Sequence, residues 1–415
     1  MKKYILSGIA LLALATASFA QNTISLSQSG NGNSAGTIQT GNLNTGTITQ
    51  TGNNNTIGQS DNNLGTSGLQ QNGTSNAGTI TQSGDSNNGF IYQRGNMNTT
   101  TISQTGNGND GQAIDFSASN MNTSTITQVG NDNKSGVFHT TSSSNNTFTT
   151  TQTGDRNQVL ATSAYILPPQ YGTFNVATID QTGNDNVIRM AQAGGTENTF
   201  LATQTGNGND AEVFQSGNNN VIGNNDNGGG PVGLQQLGDN NVAFMSQTGN
   251  SNNAFIQEIG NTNNSTIIQV GNSNDGQIQD YFSSGNTASI TQTGNSNKSG
   301  VFRNGGSENT FTSVQTGDNN RVLANGGYVL PPQYGVGNSI DITQTGNTNL
   351  TTLRQIGDDN TLMVSQSDDS QTAILVQSGS MNMLSVTQSG LPNTATISQF
   401  GSGNSASVVQ TGVAP

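Results

Sequence analysis

The sequence of 415 residues contains no cysteine and no tryptophan. Without cysteine the chain cannot be braced by disulfides, and it has neither thiolate metal sites nor a cysteine that could carry a lipid. Only 29% of the residues are hydrophobic and only 8% are charged. A large apolar core is therefore not expected, and the charge density is too low for a typical disordered chain. Another interaction must hold the chain together.

Positive charge is also scarce. Ten lysines and arginines face 23 acidic residues, so the net charge is −13. Nucleic acids and anionic membranes both require a basic surface, and we expect neither as a partner. The single histidine, His139, lacks partners for a zinc site and is a poor basis for a Ser-His-Asp site, so we interpret it as a variant of a repeat position.

No carboxylates pair on one face in the way that a carbohydrate-cleaving β-helix would need, so we predict no enzyme, no catalytic residue and no cofactor. The pairs Asp358-Asp359 and Asp368-Asp369 could bind Ca²⁺. We interpret them as solvated turns that discourage aggregation, and we predict no metal site.

Long hydrophobic runs are absent beyond the first residues. Lys2 and Lys3 precede an apolar run over 5–15, and Ser18-Phe19-Ala20 is a small-x-small cleavage site. This pattern predicts a signal peptide over 1–20 and a secreted mature chain over 21–415 that is not inserted in a membrane.

What the sequence does contain is a short repeat. The motif Gln-x-Gly-x-x-Asn first occurs over 28–33 and has 24 full matches, usually 11 residues apart. In the unit that ends at Gln399, Ala395 and Ile397 lie at spacings of two and would share one face of a strand with that glutamine. The glycine and asparagine that follow favour a tight turn. Each unit is therefore predicted to be one strand and one turn.

A single strand cannot bury its face alone, so successive strands must face one another and stack. We predict an all-β, two-sheet parallel β-solenoid with two strands in each coil of about 22 residues and about 17 coils in all. Counting every second unit gives one wall, on which we expect a stacked ladder of hydrogen-bonded glutamines: Gln39, Gln59, Gln82, Gln104, Gln128, Gln152, Gln181, Gln204, Gln247, Gln269, Gln292, Gln315, Gln344, Gln366, Gln388 and Gln410. Asn224 occupies one further position of this series. The turn candidates are Gly30, Asn33, Gly52, Asn55, Gly106, Asn109, Gly294 and Asn297.

The alternate units are less uniform. In this count they hold all the charged or ionisable variants, which predicts that these variants share the other wall: Asp115, His139, Glu258, Asp280 and Arg303. A longer period returns Gly-Val-Phe and Leu-Pro-Pro-Gln-Tyr-Gly after 163–165 residues, which the same count makes seven full coils. Each repeated feature is therefore expected on the same wall twice.

Two longer loops are predicted near 158–169 and 321–332. Pro168 and Pro331 fall where an isoleucine usually lies, so each should interrupt its strand or form a bulge. These loops could present a contact surface or merely slow lateral association. Their candidate contact residues are Tyr165, Tyr171, Tyr328 and Tyr334.

The spacing Gln-x4-Asn-x5-Gln, as in Gln28, Asn33 and Gln39, resembles the curlin repeat of bacterial curli amyloid and extends over essentially the whole mature chain. The resemblance implies a secreted subunit that polymerises with itself into extracellular fibres of the biofilm matrix and adheres to surfaces. It also implies a curli-type export channel and a nucleator subunit as partners. The number of repeats exceeds that of a typical curlin, which leaves the roles of main subunit and nucleator both open.

Two other functions remain as alternatives. An ice-binding solenoid would need flat ranks of threonine such as Thr47, Thr49 and Thr51. We expect such a rank to be broken by other residues at the outward positions: Asp180, Phe244, Ile268, Val314 and Asp341. The second alternative is a monomeric adhesin whose rod presents the two loops.

Overall fold

A computed structural model describes residues 21–58, 68–116, 119–140, 143–161, 167–222, 233–325 and 330–412. The predicted signal peptide, Gln59, Asn224, Tyr165 and Tyr328 lie outside these residues. Within them every regular element is a β-strand, all strand pairings are parallel, and no helix could cross a membrane.

The chain winds between two sheets. The first sheet comprises, in stacking order, β1 (Thr23–Ser29), β4 (Thr45–Thr51), β7 (Ala77–Ser83), β9 (Thr99–Thr105), β11 (Thr123–Val129), β13 (Thr147–Thr153), β16 (Val176–Thr182), β18 (Thr199–Thr205), β20 (Val221–Ile222) with β21 (Leu234–Leu237), β23 (Asn253–Ile259), β25 (Asp275–Tyr281), β27 (Lys298–Asn304), β29 (Arg321–Ala324) with β30 (Gln333–Tyr334), β32 (Leu350–Ile356), β34 (Thr372–Ser378) and β36 (Thr394–Phe400).

The second sheet comprises β2 (Ser34–Ala35) with β3 (Thr37–Asn42), β5 (Thr56–Ile57) with β6 (Leu69–Thr74), β8 (Asn88–Arg94), β10 (Asp110–Asp115), β12 (Lys134–His139), β14 (Gln158–Ala161) with β15 (Pro169–Gln170), β17 (Val187–Gln192), β19 (Asp210–Ser216), β22 (Val242–Thr248), β24 (Asn264–Val270), β26 (Thr287–Thr293), β28 (Thr310–Thr316), β31 (Ser339–Thr345), β33 (Thr361–Gln366), β35 (Met383–Gly390) and β37 (Ser405–Gly412). The predicted two-sheet parallel solenoid with two strands per coil is confirmed, with 16 levels in each sheet where about 17 coils were predicted.

The difference in coil number comes from two insertions. β5 and β6 flank residues 58–68 but pair with the same strand, β8, so together they form one level of the second sheet. β20 and β21 do the same on the first sheet, where both pair with β18 and β23. The sequence count had given Gln59 and Asn224 levels of their own. That count was wrong because a polar insertion can imitate the repeat period, whereas pairing assigns a strand to a level.

Because of these two counting errors, part of the predicted ladder was assigned to the wrong sheet. Gln39 belongs to the second sheet, Gln82 to Gln204 of the predicted ladder belong to the first, and Gln247 to Gln410 belong to the second. The predicted single wall of glutamines is therefore split between both sheets. The ionisable variants are split as well, with Asp115 and His139 on the second sheet and Glu258, Asp280 and Arg303 on the first.

The longer period is also corrected. Phe138 lies in β12 of the second sheet, whereas its counterpart Phe302 lies in β27 of the first. The repeated features are thus an odd number of strands apart and appear on opposite walls, not on the same wall. The residues expected to break a threonine rank are also divided between the two sheets. Asp180 is on the first sheet, and Phe244, Ile268, Val314 and Asp341 are on the second.

The proline loops interrupt their strands as predicted. β14 and β15 share one level and are separated by residues 162–168, and β29 and β30 are separated by residues 325–332. Leu167 is buried against Phe90 and Ile114, which lie on the outer side of the second sheet. Leu167 therefore covers part of an outer face.

The core between the sheets is thin and continuous. Inward positions such as Ile48, Ile80, Ile102 and Ile126 stack in register and are fully buried. Aligned isoleucines pack well because β-branched side chains suit the pleated surface. The polar edges of this core contain the glutamines and asparagines of the repeat.

Candidate functional site: the amide ladders

The inward glutamines form a hydrogen-bonded ladder on each sheet. Nε2 of each donates to the side-chain oxygen of the residue one level closer to the carboxyl end, at 2.6–3.1 Å. On the first sheet the ladder runs through Gln28, Gln50, Gln82, Gln104, Gln128, Gln152, Gln181, Gln204, Gln236 and Glu258, and again through Gln333, Gln355, Gln377 and Gln399.

On the second sheet the ladder runs through Gln39, Gln71 and Gln93, and again through Gln170, Gln192, Gln215, Gln247, Gln269, Gln292, Gln315, Gln344, Gln366, Gln388 and Gln410. Fifteen of the sixteen predicted ladder glutamines therefore form ladders, but two ladders rather than one.

The remaining amide hydrogens join the two walls. Gln104 of the first sheet donates from Nε2 to the carbonyl of Asn88 on the second sheet at 2.8 Å, and Gln128 donates to the carbonyl of Asp110 at 3.0 Å. Both hydrogens of each amide are thus used, which is needed because a buried unpaired donor costs about 1–3 kcal/mol. The ladders thus supplement the thin apolar core with satisfied polar contacts.

The turn asparagines form two further ladders with the opposite direction. Asn109 donates from its backbone N–H (3.0 Å) and from Nδ2 (3.1 Å) to Oδ1 of Asn87, one level closer to the amino end. Its second Nδ2 hydrogen reaches the carbonyl of Gly130 at 2.8 Å.

One asparagine ladder contains Asn33, Asn55, Asn87, Asn109, Asn133, Asn157, Asn186, Asn209, Asn241, Asn263, Asn286, Asn309, Asn338, Asn360, Asn382 and Asn404. The other contains Asn22, Asn44, Asn76, Asn98, Asn122, Asn146, Asn175, Asn198, Asn220, Asn252, Asn274, Asn297, Asn320, Asn349, Gln371 and Asn393.

The turn glycines allow neighbouring turns to approach closely. Gly30, Gly52 and Gly106 lie on one edge of the solenoid and Gly294 on the other, all with φ between +111° and +113°. A Cβ at any of them would lie 1.8–2.2 Å from the carbonyl oxygen of the next turn. The eight predicted turn residues therefore all lie in turns, although Gly294 and Asn297 are on a different edge from the other six.

Each glutamine ladder is interrupted once by ionisable residues. On the second sheet, Nδ1 of His139 is 2.7 Å from Oδ1 of Asp115 and its Nε2 is 2.8 Å from Oε1 of Gln170. All three side chains are buried. The imidazole thus fills a ladder position, which confirms the interpretation of His139 as a variant of the repeat.

On the first sheet the interruption contains three charged residue types. Arg303 donates from Nη1 to both carboxylate oxygens of Asp280 (3.1 and 3.3 Å) and from Nε to Oε1 of Gln333 (2.9 Å). Glu258 accepts from Nε2 of Gln236 through Oε2 at 3.0 Å. Two buried acids thus stand beside one buried base.

Burial raises the pKa of Glu258 well above its usual value, and the nearby Asp280 carboxylate raises it further, while Gln236, Ser265 and Arg303 oppose the shift. Burial also raises the pKa of Asp280, against the opposing effect of Arg303. A neutral Glu258 carries a hydroxyl where the other levels carry an amide N–H. A neutral Glu258 can therefore accept from Gln236 without a second buried negative charge.

This arrangement predicts a pH dependence of stability. Since the folded pKa of Glu258 is raised, its stabilisation is present below the ordinary glutamate pKa and is lost as the pH rises through the folded pKa. Glu258→Gln keeps a neutral amide at every pH. We expect this variant to match the native chain near pH 4 and to exceed it at pH 8 by roughly 2 kcal/mol.

Hydrogen exchange of β23, β25 and β27 at both pH values measures this difference locally. Glu308→Gln is the control, because Glu308 is exposed in a turn and its loss should leave both values unchanged. Equal stability of Glu258→Gln and the native chain at pH 8 would show that the buried carboxyl carries no cost.

Aromatic residues cluster on the outer faces. Phe302 contacts Tyr281 and Tyr334 with ring centroids 5.6 and 6.1 Å apart, so Tyr334 belongs to a packed cluster. Tyr171 is half-buried at the turn that follows β15. Sequence reasoning did not single out Phe90 and Phe255, which occupy outward positions and are nevertheless buried.

The aspartates of the paired turns take part in local bonds. Oδ1 of Asp369 accepts from the backbone N–H and Nδ2 of Asn347, and Oδ1 of Asp358 accepts from the N–H of Val336. Among the described residues no three histidine, cysteine, aspartate or glutamate side chains are grouped to hold a metal.

The comparisons with known proteins agree with this geometry. The family described as the curlin-associated repeat matches residues 21–58, 73–106, 170–194, 335–367, 357–390 and 393–412. No curated protein matches the chain. The matched segments occur on both sheets and reach both ends of the stack, and together with the solenoid fold they point to a structural protein. The chain is a member of the curlin-repeat family.

Proposed function

We propose that the protein is a secreted subunit that assembles head to tail into curli-like amyloid fibres, which serve as biofilm matrix and in surface adhesion. A curli-type export channel and a nucleator subunit would be its partners, as for the family it belongs to. The observation that carries the proposal is that the ladders end with unused hydrogen-bonding groups of opposite kind at the two ends of the stack.

At the first level, Gln28 and Gln39 donate to the next level, and no described residue donates to their Oε1 atoms. At the last level, Gln399 and Gln410 each use one Nε2 hydrogen on a carbonyl and accept from the level before, so the second Nε2 hydrogen of each has no acceptor among the residues that the structure describes. Donors at one end thus match acceptors at the other, sheet by sheet.

The apolar core is open in the same way. Ile24 and Leu26 occupy inward positions of β1 but are 44% and 48% exposed, whereas the equivalent Ile48 one level above is 1% exposed. Docking of another chain on this edge would bury them and extend both sheets by parallel pairing. Repetition of that contact gives a fibre, because a head-to-tail interface does not close on itself.

The test removes the donors at one end. The double variant Gln399→Leu and Gln410→Leu should fold but leave the acceptors of Gln28 and Gln39 unpaired at each junction. We expect the concentration of protein that stays in solution to rise roughly 10- to 100-fold. Thr394→Leu with Thr411→Leu is the control, because these positions lie on the outer face at the same end.

The measurement is thioflavin fluorescence and electron microscopy of purified chain over residues 21–415, with fibre diffraction. Native fibres should give a meridional reflection near ~4.8 Å. A native chain that remains monomeric at high concentration would refute the fibre proposal and favour the monomeric adhesin.

A further inference from the structure

The outer side of the first sheet carries a surface that neither the ladders nor the loops use. We define the threonine face as the outward residues of β1, β4, β7, β9, β11, β13 and β16. Of its 28 positions, 24 are threonine or serine, and the others are Ala77, Val129, Val176 and Asp180. Its central column reads Ser25, Thr47, Thr79, Thr101, Thr125, Thr149 and Thr178 in unbroken register.

This face is open over its whole extent. Every outward residue of the seven strands is exposed or half-buried. At the same levels of the second sheet, by contrast, outward residues such as Phe90 and Ile114 are fully buried beneath Leu167. The threonine face is therefore the uncovered one of the two walls in the amino-terminal half.

We propose that the threonine face binds the threonine face of a second copy of this chain, so that rods associate side by side. The first argument is charge. The chain has a net charge of −13, yet the face holds a single charge, Asp180, at its last strand. On the second sheet the outward positions of β17 and β19 carry Arg189, Asp210 and Glu212, whereas those of β22 to β28 are uncharged but include Phe244, Ile268 and Val314. Pairing of two threonine faces is thus a contact between copies that keeps acidic groups apart.

The second argument is shape. Threonine and serine side chains are short and of similar height, and they repeat every ~4.8 Å along the stack and every ~6.7 Å along a strand. A second face with the same two spacings can interdigitate over all seven strands. Such pairing of uncharged sheets, without proline and with few glycines, is the arrangement of a dry steric zipper.

The third argument is area. Seven strands of seven residues present about 30 Å by 20 Å, or roughly 600–800 Å² on each partner. Specific protein interfaces bury about 800 Å² on each side. One pair of faces is thus near the size of a stable contact, and a fibre would repeat the contact once per chain.

The test places carboxylates in the central column. The double variant Thr79→Glu and Thr125→Glu puts two charges on alternate strands, with Thr101 between them, where they would be buried unpaired in the interface. The matched control is Thr266→Glu with Thr312→Glu. These residues have the same column position and similar exposure on the second sheet, with Ser289 between them.

Two readouts on the full mature chain test the proposal. In electron micrographs we expect native fibres in side-by-side pairs, at least tenfold fewer pairs for Thr79→Glu/Thr125→Glu at an unchanged elongation rate, and native pairing for the control. The micrographs require that fibres form, so this readout rests on the proposed function. Sedimentation of the unpolymerised chain does not require fibres. In sedimentation we expect the native chain and the control to form a side-by-side dimer that Thr79→Glu/Thr125→Glu abolishes.

Pairs that persist in the variant, or that are lost equally in the control, would overturn the proposal. So would a native chain that is monomeric in sedimentation and unpaired in fibres. Thermal hysteresis by the native monomer that the variant abolishes would also overturn it, since the face would then bind ice. If no fibres form but the dimer behaves as expected, the fibre proposal fails and the threonine face stands.

Discussion

Replacing Arg303 by methionine is expected to destabilise the solenoid around β27 by about 3–5 kcal/mol. The guanidinium is fully buried and donates to Asp280, to Gln333 and, from Nη2, to the carbonyl of Thr287 at 2.9 Å. Methionine fills similar volume but removes every one of these donors. The Asp280 carboxylate would then be buried without a counter-charge beside Glu258, and the ladder to Gln333 would be cut.

Hydrogen exchange of β25, β27 and β30 measures this loss locally, which suits a repeat protein whose turns can open separately. The variant to compare with Arg303→Met is the double variant Asp280→Gln with Arg303→Gln. It replaces the ion pair by the amide ladder of the other levels and should recover most of the stability. If Arg303→Met costs less than 1 kcal/mol, or if the double variant is equally unstable, the charges are not balanced as described.

An exposed ion pair serves as the comparison for the buried pair of Arg303 and Asp280. Arg156 donates to Asp185 with Nε–Oδ1 at 2.6 Å, but both side chains are more than half exposed. Solvent screens such a pair, so Arg156→Met is expected to leave the stability nearly unchanged. Comparing the two arginine variants tests whether burial, rather than charge alone, causes the loss of stability expected for Arg303→Met.

Replacing Gly106 by alanine is expected to separate neighbouring turns and to cost roughly 3 kcal/mol or more. Gly106 has a φ of +113°, and an added Cβ would lie 2.0 Å from the carbonyl oxygen of Gly130 in the next turn. That atom is backbone and cannot rotate away. The stacked asparagines beside it, Asn109 and Asn133, would lose their alignment as the turns move apart.

Gly194→Ala is the matched control. Gly194 also has a positive φ, +78°, but an added Cβ would meet nothing within 4 Å. It should therefore cost only the backbone strain of about 1 kcal/mol. Urea unfolding compares the two variants, together with hydrogen exchange of β9 and β11 for Gly106→Ala and of β17 and β19 for Gly194→Ala. Equal effects would mean that φ alone, and not the approach of the turns, selects glycine.

The repeat itself predicted the coil. Glutamine at every eleventh residue, with a small residue and an isoleucine before it, defines which side chains face inward, and strand alternation leaves no second choice. The buried ladders of Gln104 and Gln128, the turns at Gly106 and the interruption of strands at Pro168 all follow from local spacing. These features need no knowledge of distant contacts.

The sequence did not correctly predict on which of the two sheets each repeat unit lies. Residues 58–68 and 223–233 contain glutamine or asparagine near the expected position, so a count along the chain adds one strand at each insertion. The pairing of β5 and β6 with the same neighbour removes that strand and moves Gln82 to Gln204 to the other wall, and the shared level of β20 and β21 moves the later glutamines back. As a result, Asp115 and Arg303 lie on opposite sheets, and the central column of the threonine face is unbroken from β1 to β16.

The sequence alone thus determined the fold class, the inward residues and the existence of amide ladders, because a strict short period limits each unit to one strand and one turn. Only the tertiary structure decided which units stack, which outer faces are covered and where acids and bases meet. Those outcomes depend on hydrogen bonds between residues 22 to 32 positions apart, and no local pattern specifies a partner at that distance.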